Sequence, residues 1–181
     1  MKKYLKEIIY YLAHRVLWIL FYIPSIKFKI LLLRICGATI GKNVSVHIGV
    51  KIIAPWNLII GNNSTINSSC FLDCRGLLTI GHNTMIGYNT SIHTAGHHYK
   101  SKDFPMYKNK VSIGRNTIIF PKCFIGPGAN IENDCTLLPM TVLLKGTYAR
   151  GSVMLGNPSR QIGSIEDIER GSQFHNSPFG F

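Results

Sequence analysis

An aliphatic residue returns every six positions along most of this chain: Ile40, Val46, Ile52; Ile60, Ile66, Leu72; Ile80, Ile86, Ile92; Ile113, Ile119, Ile125; Ile131, Leu137, Leu143. A fixed period of this kind marks a repeat architecture and outranks local propensity. Four residues after most of these comes a small or β-branched residue: Val44, Val50, Ser64, Cys70, Thr84, Thr90, Thr117, Cys123, Ala129, Cys135 and Thr141. Two slots per hexapeptide therefore point inward. Glycine follows the aliphatic at 41, 61, 81, 87, 114 and 126, and asparagine is common two residues later, at 43, 63, 83, 89 and 116. Both tolerate the positive φ of a tight corner. Three short strands would then close one coil, with successive coils stacked about 4.8 Å apart around a column of Ile and Leu.

The period is most informative where it fails. Coils begin at Ile40, Ile60, Ile80, Ile113 and Ile131, at spacings of 20, 20, 33 and 18. Each excess falls after a third hexapeptide, at 54–57, 73–76 and 97–110, so the insertions stack at one corner. Insertions on a repeat scaffold map to loops on one face, often the binding face. The longest, 97–110, is polar and basic, carries aromatic side chains suited to stacking on a sugar ring, and opens on the chain's only His-His pair. Histidine titrates near neutral pH and can remove a proton from an attacking hydroxyl. His97 is the candidate base, with His98 and His93 as the alternatives if the register slips by a residue.

Composition narrows the remaining classes. With 46% hydrophobic and 15% charged residues, the 181-residue chain has material for one packed domain plus an appendage. Half of the net charge of +12 lies in residues 1–34, where seven basic residues stand against Glu7 alone. No helix-turn-helix, zinc-finger, RRM or KH pattern accompanies that charge, which sets nucleic acid aside as a partner. Five cysteines without paired spacing point to a reducing compartment and a packing role. His14 and Arg15 interrupt any signal-peptide core, and the uncharged run from Val16 to Ile26 is too short to span a bilayer. Residues 1–34, with Tyr10, Tyr11, Trp18, Phe21 and Tyr22 broken by Pro24, read as a membrane-interface segment, a cap on the open end of the coils, or both. Ser164 reads as the N-cap of a short helix before a phenylalanine-bearing tail.

The hexapeptide pattern, the stretch Ile92-His-Thr-Ala-Gly-His-His-Tyr99 and the segment Gly156-Asn-Pro-Ser-Arg160 together resemble the hexapeptide-repeat acyltransferases, in the branch of galactoside, maltose and capsule O-acetyltransferases. That resemblance implies an all-β fold, a left-handed parallel β-helix of about five coils over 35–160, between a helical segment at 1–34 and a short helix and tail at 161–181. It implies transfer of acetyl from acetyl-CoA to a sugar or glycan hydroxyl, in assembly of a bacterial surface polysaccharide or capsule. It also implies a cytoplasmic homotrimer with active sites between subunits, and the composition of residues 1–34 allows peripheral contact with the inner membrane face. Antibiotic and sugar-nucleotide acetyltransferases are the neighbouring alternatives, and a glycan-binding β-helix without catalysis is a third.

Residue by residue, the resemblance makes His97 the catalytic base and matches Asp73 to a carboxylate that touches the acceptor, with His98 and Tyr99 beside it. Pro121 and Pro139 stand where the family lines the pantetheine tunnel. Asn157 and Pro158 belong to the closing segment along the coenzyme arm, and Lys145 and Arg160 would meet its phosphates. Two family motifs are absent, since Ile118-Ile-Phe120 stands for Trp-Ile-Gly and Leu138-Pro-Met-Thr141 for Gly-Ala-Gly-Ser. A zinc site of the γ-class carbonic anhydrase type is not expected. His93 and His98 have the spacing of two of its ligands, but Asn57 stands where the first would be.

Overall fold

The computed structural model describes residues 2–165. Three stacks of short parallel strands form the faces of a triangular solenoid. The first face runs Thr39–Ile40, Leu58–Ile60, Leu78–Ile80, Val111–Ile113, Ala129–Ile131 and Gly146–Tyr148. The second runs Ser45–Val46, Thr65–Ile66, Met85–Ile86, Ile118–Ile119, Thr136–Leu137 and Ser152–Leu155, and the third Lys51–Ile53, Phe71–Asp73, Ser91–His93, Phe124–Ile125 and Val142–Leu143. Five coils are complete and a sixth is two-thirds formed. The sequence count of five stops short because the last coil, entered at 146–148, has lost the hexapeptide aliphatic.

All fifteen repeat aliphatics are buried, as are all eleven small or β-branched partners. The polar members of that second slot are stable inside because each hydroxyl or thiol donates to a main-chain carbonyl of the next coil. Ser64 Oγ reaches Gly81 O at 2.7 Å, Thr84 Oγ1 reaches Gly114 O at 2.9 Å, and Cys70 and Cys135 point at Gly87 O and Ala149 O. Burial raises the Cys70 thiol to a pKa of about 12, which keeps it protonated and unreactive.

The asparagines behave as the pattern predicts. Asn43, Asn63, Asn83, Asn89 and Asn116 all take φ between 53° and 56°. The repeat glycines do not, since none of Gly41, Gly61, Gly81, Gly87, Gly114 and Gly126 is in the left-handed region. Their reason is space. A Cβ on Gly81 would stand 2.5 Å from Arg115 N, and one on Gly61 would stand 2.6 Å from His82 N.

The amino-terminal segment folds as α1, Lys2–Leu20, and α2, Ile26–Ile35. Pro24 separates them, and Ser25 caps α2 by accepting from Phe28 N at 3.3 Å. Helix α2 lays Ile26, Lys29 and Leu33 onto the first coil. Helix α1 buries Leu17, with Phe21 buried just beyond its end, and Trp18 Nε1 donates to Ile52 O at 3.2 Å. Both helices therefore pack on the first coil. At the other end Arg160–Ser164 is a strand, antiparallel to Ser152–Leu155. Ser164 thus ends a strand, and the short helix and tail read after it lie outside the described residues, as do the side chains of Tyr10 and Tyr11.

Lys29 is fully covered, with no ion-pair partner among the described residues, and burial lowers its pKa. The folded state therefore binds its proton less readily than the unfolded chain. Stability should rise with pH as Lys29 is deprotonated toward its unfolded pKa. Lys29→Met is expected to add on the order of 1 kcal/mol at neutral pH, with the gain shrinking in alkaline buffer. Urea titrations at two pH values would show it, and an equal gain at both would refute the assignment.

Candidate active site

The three insertions stack at the corner between the third and first faces, held together by polar contacts between coils. Asn57 Nδ2 donates to Arg75 O at 3.4 Å, joining the first to the second. Thr94 Oγ1, fully buried, donates to Asp73 O and accepts from Gly76 N, both at 2.7 Å, joining the second to the third. Thr94 O in turn accepts from Asn109 N at 2.8 Å and closes the base of the longest insertion.

That insertion is a two-stranded arm. Ala95–His97 pairs antiparallel with Met106–Lys108, setting His97 opposite Met106. His97 is exposed near its tip, and its Nδ1 lies 2.7 Å from Phe104 O. A carbonyl only accepts, so Nδ1 carries the proton, and in the neutral ring Nε2 is the nitrogen left to accept one. Phe104 holds φ 48°, a strained value for a bulky residue, at the point where its carbonyl meets the imidazole. The imidazole is thus oriented by main chain.

Asp73 reaches the same corner and is fully buried, but both its oxygens are taken by Arg75, Nη2 to Oδ2 at 2.7 Å and Nε to Oδ1 at 2.9 Å. Arg75 Nη1 also reaches Met106 Sδ at 3.4 Å, so this ion pair braces the strand opposite His97. The His98 ring packs tilted against Tyr107 at 4.7 Å, and Tyr99 is exposed on the arm. His93 lies between Phe71 and Phe124, at 5.3 and 5.1 Å, above the gap left by the small Ser91 in the column between them. Burial there lowers its pKa and favours the neutral ring. Among the described residues no three His, Cys, Asp or Glu side chains converge on a common point.

The remaining candidates divide between two corners. Lys145 stands at the insertion corner two coils beyond the arm, its stem against Gly128. Pro121 and Pro139 occupy the corner between the second and third faces, where Met140 N donates to Pro121 O at 3.1 Å. Gly156 O accepts from Val142 N at 3.0 Å, which brings Asn157 and Pro158 over the same corner, with Arg160 opening the exposed terminal strand. One chain therefore does not bring His97 together with Pro121, Pro139, Asn157 and Pro158.

No family model matches the chain. It is 29% identical over 133 residues to an Escherichia coli protein that bears the name of a colanic acid biosynthesis acetyltransferase, WcaF, covering 74% of this chain and 72% of that one. Its structure superposes on a maltose O-acetyltransferase of Clostridium difficile with a TM-score of 0.77 and 25% identity, over 86% of both chains. The chain thus resembles named acetyltransferases over most of its length and shares the fold of a maltose O-acetyltransferase. A galactoside acetyltransferase solved with coenzyme A has the same fold, at a TM-score of 0.70 and 22% identity over 86% of this chain and 80% of that one.

Four features of the corner had escaped the sequence: the Thr94 clamp, the Asp73–Arg75 pair, the Phe104 carbonyl and the stacked His93. Only the second had a local signal, an acid and a base two residues apart at a strand end. Thr94→Val removes both 2.7 Å bonds and leaves Gly76 N and Asp73 O without them. The variant is expected to lose about 2 kcal/mol in urea titrations. Because the arm starts at the next residue, turnover should fall more than ground-state coenzyme affinity does. Unchanged stability and turnover would show that the clamp is dispensable.

Proposed function

We propose that this protein is an acetyl-CoA-dependent O-acetyltransferase acting on a sugar hydroxyl in bacterial surface-polysaccharide or capsule assembly. The observation that carries the reading is the His97 imidazole, fixed by Phe104 O through Nδ1 and offering Nε2 at the head of the one long arm. The relatives named for colanic acid biosynthesis and maltose acetylation, and the related fold holding coenzyme A, support the substrate classes.

The acceptor hydroxyl gives its proton to His97 Nε2 as its oxygen bonds to the thioester carbonyl carbon. Collapse of the tetrahedral oxyanion breaks the carbon–sulfur bond, and the imidazolium returns the proton to the departing thiolate. The products are an acetyl ester and free coenzyme A. His98 and Tyr99, exposed on the same arm, line the acceptor side, and Asp73 acts there through Arg75.

The division of the site between two corners supports a homotrimer in which one subunit presents the His97 arm and its neighbour presents Pro121, Pro139, Asn157, Pro158 and Arg160 to the coenzyme. Lys145 adds a cation at the arm's own corner. The reading places the enzyme in the cytoplasm, peripheral to the inner membrane face. Thiol release from acetyl-CoA, followed over a panel of sugars and lipid-linked glycans, tests the activity. Failure to bind coenzyme A and to acetylate any member would overturn it. Mixing His97→Ala subunits with Pro139→Asp subunits, each inactive alone, should restore activity if sites are shared between chains, and no recovery would sink the shared-site arrangement.

A further inference from the structure

Helix α1 has two apolar faces, and the solenoid covers only one. His14, Leu17 and Phe21 are buried against the first coil. Tyr4, Ile8, Leu12, Val16, Ile19 and Tyr22 repeat at three- and four-residue steps along the helix and its end, and every one is more than half exposed. At about 100° per residue this stripe falls on the side opposite the buried one. A helix serving only as a cap would expose a polar face there.

The surroundings of the stripe are cationic. Residues 1–34 carry the net charge of +6 already noted. At the junction with the third face, Arg15 and Lys51 both stand over the Trp18 ring, at 5.3 and 5.6 Å, and Lys27 is exposed at the start of α2. Tyrosines stand at both ends of the stripe, the position amphipathic rings take at a membrane–water boundary. No described helix is long and apolar enough to cross a membrane.

We infer that the exposed stripe of α1, Tyr4 to Tyr22, is an in-plane docking surface for an anionic lipid bilayer, at the foot of the corner that carries His97. Charge decides the occupant. A second copy on this face would bring two segments of the same strong positive charge together, whereas an anionic bilayer neutralises them while burying the stripe. Helix α1 is also tied to the stack of insertions above it. His14 Nε2 accepts from Ala54 N at 3.2 Å, and its ring stands edge-on to Trp56 at 6.4 Å. The insertion holding Ala54 and Trp56 then joins, through Asn57 and Thr94, to the arm. Two coils at about 4.8 Å each separate that foot from the arm, so the surface would hold His97 near acceptors attached to a membrane. This builds on the proposed location at the membrane face.

Sedimentation of the full chain with lipid vesicles tests it. The wild-type protein is expected to pellet with phosphatidylglycerol-rich vesicles, to do so weakly with pure phosphatidylcholine, and to lose binding as salt rises. Ile8→Glu/Leu12→Glu/Ile19→Glu should weaken binding by roughly tenfold or more. Arg15→Gln/Lys27→Gln/Lys51→Gln should weaken binding to the anionic vesicles alone, and it keeps the test open if the first variant folds poorly. Both should retain thiol release with a soluble acceptor, which separates loss of docking from failure of the acetyl-transfer reading. The inference is overturned if wild-type protein stays in the supernatant or if both variants pellet as it does. A change in oligomeric mass by light scattering without a change in vesicle binding would also overturn it, by assigning the stripe to a second copy.

Discussion

His97→Ala is expected to lower kcat by about 10²- to 10⁴-fold, the usual contribution of a positioned general base. The affinity for coenzyme A should change little, because the coenzyme residues proposed here lie at other corners or other coils. The fold should also be unaffected, since the imidazole is exposed and bonds to a carbonyl at the arm's own tip. His97→Asn is the sharper variant. An asparagine amide can donate to Phe104 O and preserve the arm but cannot accept the acceptor's proton, so it should be as inactive as alanine. Steady-state kinetics with calorimetric coenzyme titration would measure both. Activity in His97→Ala within a fewfold of wild type would remove His97 from the chemistry, leaving its neighbour His98, packed against Tyr107, as the next group to test.

Gly81→Ala is expected to be the most damaging single-methyl change in the solenoid. The added carbon would meet Arg115 N at 2.5 Å, Gly114 C at 2.6 Å and Gly114 O at 2.8 Å, all main chain, so neither a rotamer nor a flexible side chain can relieve it. Two coils must separate locally, and the bond from Gly81 N to Ile113 O at 2.8 Å must stretch. Overpacking of this severity costs about 3 kcal/mol, which for a chain of this size lowers Tm by roughly 10 °C. Gly126→Ala is the matched control. Its nearest neighbour would be Leu143 O at 3.4 Å, with no left-handed backbone to lose, and it should melt near the wild type. Equal losses in the two variants would mean that close approach between coils is not what the repeat glycine serves.

The contrast between those glycines also shows what the sequence could and could not reveal. The period of six located the fifteen repeat aliphatics and their eleven partners because burial in a solenoid is set by one repeating geometry, whereas Leu58, Leu78 and Val111, which follow the insertions, are buried off that period. The same pattern suggested a torsional reason for glycine, yet the contact that demands glycine is with a residue about twenty to thirty-three positions away. The arm carrying His97 was legible because a break in a strict period is itself a signal. The imidazole's partner Phe104 O was not, since a carbonyl leaves no mark on residue identity. Asp73 was matched through the resemblance to a carboxylate that touches the acceptor, and its pairing with the arginine two residues on, which bonds both its oxygens, was not foreseen. The sixth coil was missed for a simpler cause, since the run entering it at Gly146–Tyr148 carries no repeat aliphatic.

Stacked coils give this enzyme a built-in ruler. The height of the His97 arm over α1 is fixed by how many coils lie between them, and each whole coil adds or removes about 4.8 Å. Duplicating the second coil would raise the arm by one such step while leaving the arm, the faces and the cap intact. Distance from the amino-terminal layer can therefore be changed only in discrete increments, and a relative that serves a longer or shorter acceptor could be recognised by counting its hexapeptides between the first coil and the arm.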